Sequence, residues 1–463
     1  MTNFLVEVII MLKKLNDNYI FEELYALFLM AFAFTIWHFN FIYGIGIIAI
    51  LGASAMIIFN DFKYMVPAVL LALFSQGHGI DSYGQPIALY IAVALAIIAM
   101  IYFTIKNKPD FKKIKSYKGL AGLTILSILP LCWHNIIPSD QPVMYILYFN
   151  YFFYLLVLVL FTLNLNKKSF RMICIAMSYV AVMIALECIT TVYRLHLENP
   201  DKSILSFWYY IGWGICNEAG ILMCFTMPFI FVQLVKTEKL THIFIALTKL
   251  VLVCVCIVLT TSRATYGIGC LELLALFVWA AIYAKRRKTI WIIAGVAFVV
   301  LSIVVFGIVG ITNIIDKVKS QVFDQGLDNN GRTGLWNSGI NLWATNVGTI
   351  FFGNGIVGEW SNGTLDYESG ARVVYLVYHS TVIECMASTG LVGLCFLIFH
   401  FIEKYKQTFK LEKNILGLVV VGYILVDLYG IIDNTYGMYF YMVPLMILMG
   451  GLENYDKEVE LVY

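Results

Sequence analysis

Charge is what this chain has least of. Asp, Glu, Lys and Arg make up only 13% of its 463 residues, where a soluble globular protein carries roughly 25%. Hydrophobic residues reach 61% and mean hydropathy is strongly positive. A soluble domain is excluded. The ten-residue alternating segments of a membrane β-barrel are missing as well. So is any CxxC pair among the ten cysteines. Most of these lie inside apolar runs (Cys132, Cys174, Cys188, Cys254, Cys256, Cys270, Cys395), and Cys254 and Cys256 point to different helix faces. They read as buried, inert thiols. There is no low-complexity tract, no evident repeat and no soluble appendage. No cleavable signal peptide is read at the start, where Lys13 and Lys14 suggest a cytoplasmic beginning. A net charge of +2 is silent about partners, and no nucleic acid is expected among them.

What remains are apolar runs of about twenty residues, each long enough to cross a hydrocarbon core as a helix. In lipid the backbone must satisfy itself, which makes helices the default. The expected fold is all-α: one integral membrane domain over residues 1–463 with about fourteen spans, twelve at the least. They fall near 20–37, 41–59, 63–77, 84–105, 119–134, 142–163, 172–193, 207–235, 243–260, 264–284, 290–312, 377–401, 414–430 and 434–451.

Lysine-rich joints at 106–118, 164–171, 236–239, 285–288 and 403–413 alternate with joints nearly free of lysine. The positive-inside rule then puts those joints and both termini in the cytoplasm. One large loop, 313–375, falls on the extracytoplasmic side. Arg194, Arg263, Arg332 and Arg372, four of the seven arginines, are on that side too, against three of the twenty-four lysines (Lys202, Lys317, Lys319). A topology signal would not choose Arg over Lys there. A planar fork that grips phosphate oxygens would.

Within the loop, apolar residues at helical spacing extend the preceding span over 313–323. Leu335, Trp336, Ile340 and Trp343 form one stripe of a short amphipathic helix over 332–346, lying on the membrane surface or on the bundle. A turn-rich FFGNGIVGEW and a polar SNGTLDYESG follow. The chain then returns through Arg372 to His379, which opens a long apolar helix, HSTVIECMASTGLVGLCFLIF.

TTSRATYG at 260–267, then GRTGLW, NLW and FFGNGIVG, then HSTVIECMASTGLVGL, resemble the O-antigen ligase and polymerase family of bacterial envelope glycosyltransferases. Gly390 falls eleven after His379 and is followed by Gly393. YYIGWGICNEAGILMCFTMP is similar to the family's Gly…Asn…Pro span, on Gly214, Asn217 and Pro228. The resemblance covers roughly 207–400. It departs at Ser380, where the family usually has Asn, and at Ala264, where it often has Gly.

The resemblance implies a metal-independent, cofactor-free glycosyltransferase in the bacterial cytoplasmic (inner) membrane, with its active face outside. Its donor would be a glycan on undecaprenyl diphosphate, its acceptor another glycan or lipid-linked glycan. Membrane lipids and a chain-length regulator protein would be its partners. A polymerase of repeat units for an O-antigen or capsule is favoured over a ligase acting on a lipopolysaccharide core; a flippase of the same lipid-linked glycan is the competing transporter reading.

A diphosphate leaving group needs its developing charge stabilised, and arginines do this without a metal. Arg263 and Arg332 are assigned to the diphosphate, with Arg372 as a third candidate. The alternative reading of Arg263, at a membrane boundary, is an interfacial anchor. His379 is assigned as the base that takes the acceptor's proton, since an imidazole titrating at about 6.5 suits that work. Asn217, Glu218, Trp336 and Ser380 are supporting candidates; Trp336 and Trp343 also fit membrane-surface anchors. Glu384, five after His379, faces away from it and pairs elsewhere. Glu187 and Arg194, seven apart on one helix, share a face and are read either as a functional group or as a structural pair.

Overall fold

The structure, a computed structural model, describes residues 15–16, 18–77, 87–129, 149–289, 291–292, 295, 332–355 and 378–457. Among them the regular structure is helical, apart from one isolated bridge between Tyr210 and Ile215. The helices are α1 (Tyr19–Phe39), α2 (Tyr43–Phe59), α3 (Met65–Phe74, entered through a single tight turn at Phe62–Tyr64), α4 (Ile87–Lys106), α5 (Lys118–Ile128), α6 (Asn150–Asn164), α7 (Ser169–Glu198), α8 (Cys216–Lys236), α9 (Leu240–Leu259) and α10 (Arg263–Tyr283). Then come α11 (Arg332–Trp343), α12 (Val347–Phe352), α13 (Thr381–Thr408), α14 (Lys413–Ile432) and α15 (Tyr439–Glu453).

Eight of these, α1, α4, α7, α8, α9, α10, α13 and α14, are long and apolar enough to cross a membrane. Five shorter apolar helices accompany them. The span expected at 290–312 lies outside the described residues except for 291, 292 and 295, as do parts of those expected at 119–134 and 142–163. Some helices begin and end where the sequence offers caps. Asn18 accepts from the Ile20 N–H to start α1. Asn40 and Asn60 close α1 and α2 in the left-handed conformation that Asn tolerates better than most residues.

The centre of the bundle is α7 and α8, whose apolar stretches are 89% and 94% buried, against 28% for α4 and α10. The first pair is surrounded by protein; the second turns most of its surface outward. Close contacts use small residues, as helix pairs in lipid require. On α5, a Cβ at Gly119 would stand 2.5 Å from the His400 backbone nitrogen, and one at Gly122 would stand 2.2 Å from the Phe396 ring. Gly119→Val should therefore push α5 off α13. Overpacking of this kind costs about 1–3 kcal/mol, readable as a lower midpoint of thermal unfolding in detergent.

The joints sort to two ends. At one end Lys63 and Arg171 both hold Glu22 (2.8 and 2.6 Å), Lys236 holds Glu412 (2.5 Å), Lys285 holds Glu238 (2.9 Å) and Lys167 pairs with Asp456. Glu453 accepts from the backbone of Lys115 and Ser116, and Glu403 caps the start of α5. These are the lysine-rich joints. At the other end the Trp37 indole donates to the Ile211 carbonyl (2.8 Å), and Arg194 meets His38 (2.9 Å).

Two expectations are corrected. The span read from residue 207 starts only at Cys216. Residues 207–215 form an irregular turn, with Gly212 at φ +98° packed against Gln76 and Gly77. The long helix read after His379 is broken: α13 contains Gly390 at φ 69°, ψ −168°, which separates an arm at 381–389 from the span at 391–408. That region of backbone space is essentially open to glycine alone.

Candidate active site

The broken helix builds the site. Its first arm would end at Gly390 with carbonyls exposed, because a helix leaves its last four C=O groups without internal partners. The Gly353–Asn354–Gly355 turn supplies donors. Asn354 N–H donates to Ala387 O and Gly355 N–H to Ser388 O, each at 2.8 Å. Gly353 has φ 71°, ψ −174°, the same glycine-only region as Gly390. A Cβ on Gly353 would sit 2.3 Å from the Ser388 carbonyl carbon; one on Gly390 would sit 2.4 Å from that of Phe351. The two turns are fitted to each other. Before them α11 lies on the bundle, its Gly339 packed against Tyr378 and Ile383.

At the head of this arm stands His379, at φ 47°, a left-handed conformation unusual for a non-glycine residue and often found at functional sites. Ser380 caps the arm, its hydroxyl accepting from Ile383 N–H at 3.5 Å. The backbone on either side is pinned. The Tyr378 N–H donates to the Glu384 carboxylate (3.2 Å), the Trp336 indole donates to the His379 carbonyl (3.3 Å), and the Thr381 N–H donates to the Asp433 carbonyl (3.2 Å).

Asp433, at the end of α14, joins the constellation together. Its Oδ1 stands 3.0 Å from His379 Nδ1 and accepts from the Asn434 N–H (2.9 Å). Its Oδ2 accepts from Arg332 Nη2 at 3.4 Å, while Arg332 Nη1 donates to the Ile432 carbonyl at 2.6 Å. The side-chain exposures are 38% for His379, 21% for Arg332 and 5% for Asp433. The carboxylate is the floor, and the imidazole and the guanidinium stand on it facing outward. As a carboxylate Asp433 can only accept. The shared proton then sits on Nδ1, and the lone pair of Nε2 is left for a substrate. Arg332 spends two of its five N–H donors on these contacts.

The structure thus brings Arg332, His379, Ser380 and Trp336 together. Glu218 is in the same neighbourhood: it caps the start of α8 by accepting from Ile215 N–H (2.8 Å) and lies within electrostatic range of Asp433 and His379. Asn217 is half-buried in the same first turn. Trp336 and Trp343 both spend their indole N–H on backbone carbonyls, Trp343 on Ile350 O at 2.9 Å. Arg263 opens α10 next to Ser262, whose hydroxyl pairs with Tyr429 (3.3 Å), one turn before Asp433 on α14. The side chain of Arg263, and Arg372 altogether, lie outside the described residues.

The pairing of Glu187 with Arg194 is corrected. Glu187 accepts from the Trp213 indole (2.7 Å) and Arg194 turns to His38. Seven residues put them on one face but about 10.5 Å apart along the axis. Asp433 was not singled out from the sequence. Its one signal is placement: it is the acid of the lysine-free joint between the last two spans, on the same side as His379 and Arg332.

Arg332→Lys should lose most activity although charge is kept, because a point cation cannot hold Ile432 O, Asp433 and a ligand oxygen at once. Turnover of Arg332→Lys and Arg332→Ala in reconstituted vesicles checks this; full turnover by the lysine variant would show that only charge matters.

The described residues thus form a multi-pass helical bundle with an Arg–Asp–His group at one end. Residues 249–398 match the family model described as O-antigen ligase. That match contains Arg263, Arg332 and His379 but neither Glu218 nor Asp433, and it makes this part of the chain similar to the O-antigen ligase family. No curated protein matches the sequence.

Proposed function

We propose that the chain is a polymerase joining oligosaccharide repeat units carried on undecaprenyl diphosphate, at the outer face of the bacterial cytoplasmic membrane. The observation that carries this is the single carboxylate, Asp433, shared by the imidazole of His379 and the guanidinium of Arg332. Nε2 of His379 takes the proton of an acceptor hydroxyl as its oxygen attacks the anomeric carbon. The bond from that carbon to the diphosphate breaks, and the electron pair leaves with the lipid diphosphate. Arg332 and Arg263, with Arg372 as a third, meet the charge that develops there. Neither a metal nor a cofactor is required in this scheme. The lysine-poor end faces outward, with both termini in the cytoplasm.

A groove of about 390 Å³ supports a lipid-linked donor. It starts at Thr381 and Thr435, beside Asp433, and runs between α13 and α14 along Ile424, Leu428 and Phe401. Ile424 and Leu428 are exposed on the outer surface of the bundle, where lipid would lie. An isoprenoid chain suits such a lining. A chain-length regulator is the proposed protein partner.

The test is reconstitution of the purified chain with lipid-linked repeat units already on the site side of the vesicle. A ladder of joined units supports the polymerase. Transfer only to a different acceptor makes it a ligase. No conversion, with donor crossing the membrane instead, makes it a flippase.

A further inference from the structure

A second pocket borders this site. It has a volume of about 310 Å³ and is lined by Thr191, Arg194, Leu195 and Glu198 of α7 and by Trp208, Tyr209 and Tyr210 of the turn before α8. The four α7 residues fall at intervals of three, one and three, a single stripe on its last two turns. Trp208 is 68% and Tyr210 48% exposed, so two aromatic faces are offered rather than packed away. Arg194 is held in place: one amino group contacts His38 Nδ1 (2.9 Å), and the guanidinium lies 5.8 Å from the Trp37 ring, itself tied to Ile211.

Residues of the pocket neighbour residues of the active site on two sides. Thr261, two residues before Arg263, donates its hydroxyl to Phe207 O (3.3 Å), next to Trp208. Tyr439 stands within electrostatic range of both Tyr210 and Glu218, and Glu218 is within range of His379 and Asp433.

We infer that this pocket is a glycan subsite holding one or two pyranose units of the substrate while its reacting end lies at His379. The inference rests on the reading of the chain as a lipid-linked-glycan transferase. A pyranose ring presents an apolar C–H face and a rim of hydroxyls. The flat faces of Trp208 and Tyr210 suit the first. The fork of Arg194 donates to the rim and the carboxylate of Glu198 accepts from it. An anionic group such as phosphate fits less well, because Glu198 would repel it. Exposed Trp and Tyr also occur as membrane-interface belts, but a belt needs neither a cavity nor a fixed Arg beside a carboxylate.

The probe is the lipid-free repeat-unit oligosaccharide released by partial hydrolysis from the polysaccharide of cells carrying this chain. Its binding to the full-length protein in nanodiscs is measured by saturation-transfer NMR and titration. Trp208→Leu should weaken binding about tenfold, a loss on the scale of one aromatic contact. Trp208→Phe should keep it within about threefold, and Glu198→Gln should weaken it with Trp208 intact. In turnover assays the variants should raise KM for the unit that uses this pocket, donor or acceptor, and leave kcat near that of the wild type. Wild-type binding by Trp208→Leu overturns the inference and returns Trp208 to the interface belt; so does turnover by a protein that shows no oligosaccharide binding. Binding lost in Trp208→Leu, in a protein that never joins lipid-linked units, leaves the subsite standing and sinks the polymerase instead.

Discussion

His379→Ala should lower glycan joining in reconstituted vesicles by about 10²–10⁴-fold, the usual contribution of a positioned acid–base group, with unconverted lipid-linked donor accumulating. Asp433→Asn should come within about tenfold of that loss, although it changes one atom. Two orientations of the amide are available, and both fail. With its oxygen toward His379 Nδ1, its NH2 faces the donors of Arg332. With the NH2 toward Nδ1, the imidazole is forced into the tautomer whose proton is on Nε2, where a base is needed. If the three residues work as one unit, the double variant His379→Ala/Asp433→Asn should be no worse than His379→Ala alone, since such effects do not add. Additive losses would mean that Asp433 acts elsewhere. Wild-type product from His379→Ala at equal folded protein would falsify the assignment of the base outright.

The second large effect lies away from any reacting group. Gly390→Ala and Gly353→Ala should each sharply reduce folded protein and abolish activity in what remains. Each places a side chain in backbone space where strain is of order 1–3 kcal/mol, and each would stand about 2.3–2.5 Å from facing backbone atoms. The neighbour in each case is main chain, which cannot rotate away. Gly334→Ala on α11 is the control. Nothing stands within 4 Å of its added Cβ, and Ala favours a helix over Gly by roughly 0.5–1 kcal/mol, so it should be neutral or slightly stabilising. The readouts are the yield of monodisperse protein in detergent and its thermal midpoint. A Gly390→Ala protein as stable and active as wild type would mean that the break is not required.

Of the fourteen spans expected, the eight seen as membrane-length helices among the described residues were legible because apolar runs of that length leave little choice of conformation. The grouping of the lysine-rich joints at one end was legible for the same reason: charge cannot be left inside. His379 and Arg332 could be chosen from the motif set. Asp433 could not, since an acid in a short turn is the commonest of features and nothing local marks it as the partner of groups 101 and 54 residues earlier in the chain. The break at Gly390 was hidden too. A single glycine inside an apolar run is tolerated by a helix, and only the chain crossing at Phe351–Phe352 forces the bend. Glu187 and Arg194 show the opposite error: helical spacing suggested a pair, and distance along the axis with better partners on α1 and at Trp213 overrode it.

The way the 353–355 turn stoppers the arm at 381–389 bears on what never enters the reaction. A helix cut inside a bilayer ordinarily recruits water to its loose carbonyls. Here two main-chain amides already occupy Ala387 O and Ser388 O, so two of the carbonyls that the cut frees beneath the arm that carries His379 are bonded to protein rather than to solvent. In the proposed reaction, a glycosyl group activated there would be shielded on that flank from hydrolysis, and a sugar hydroxyl would be the nucleophile it meets.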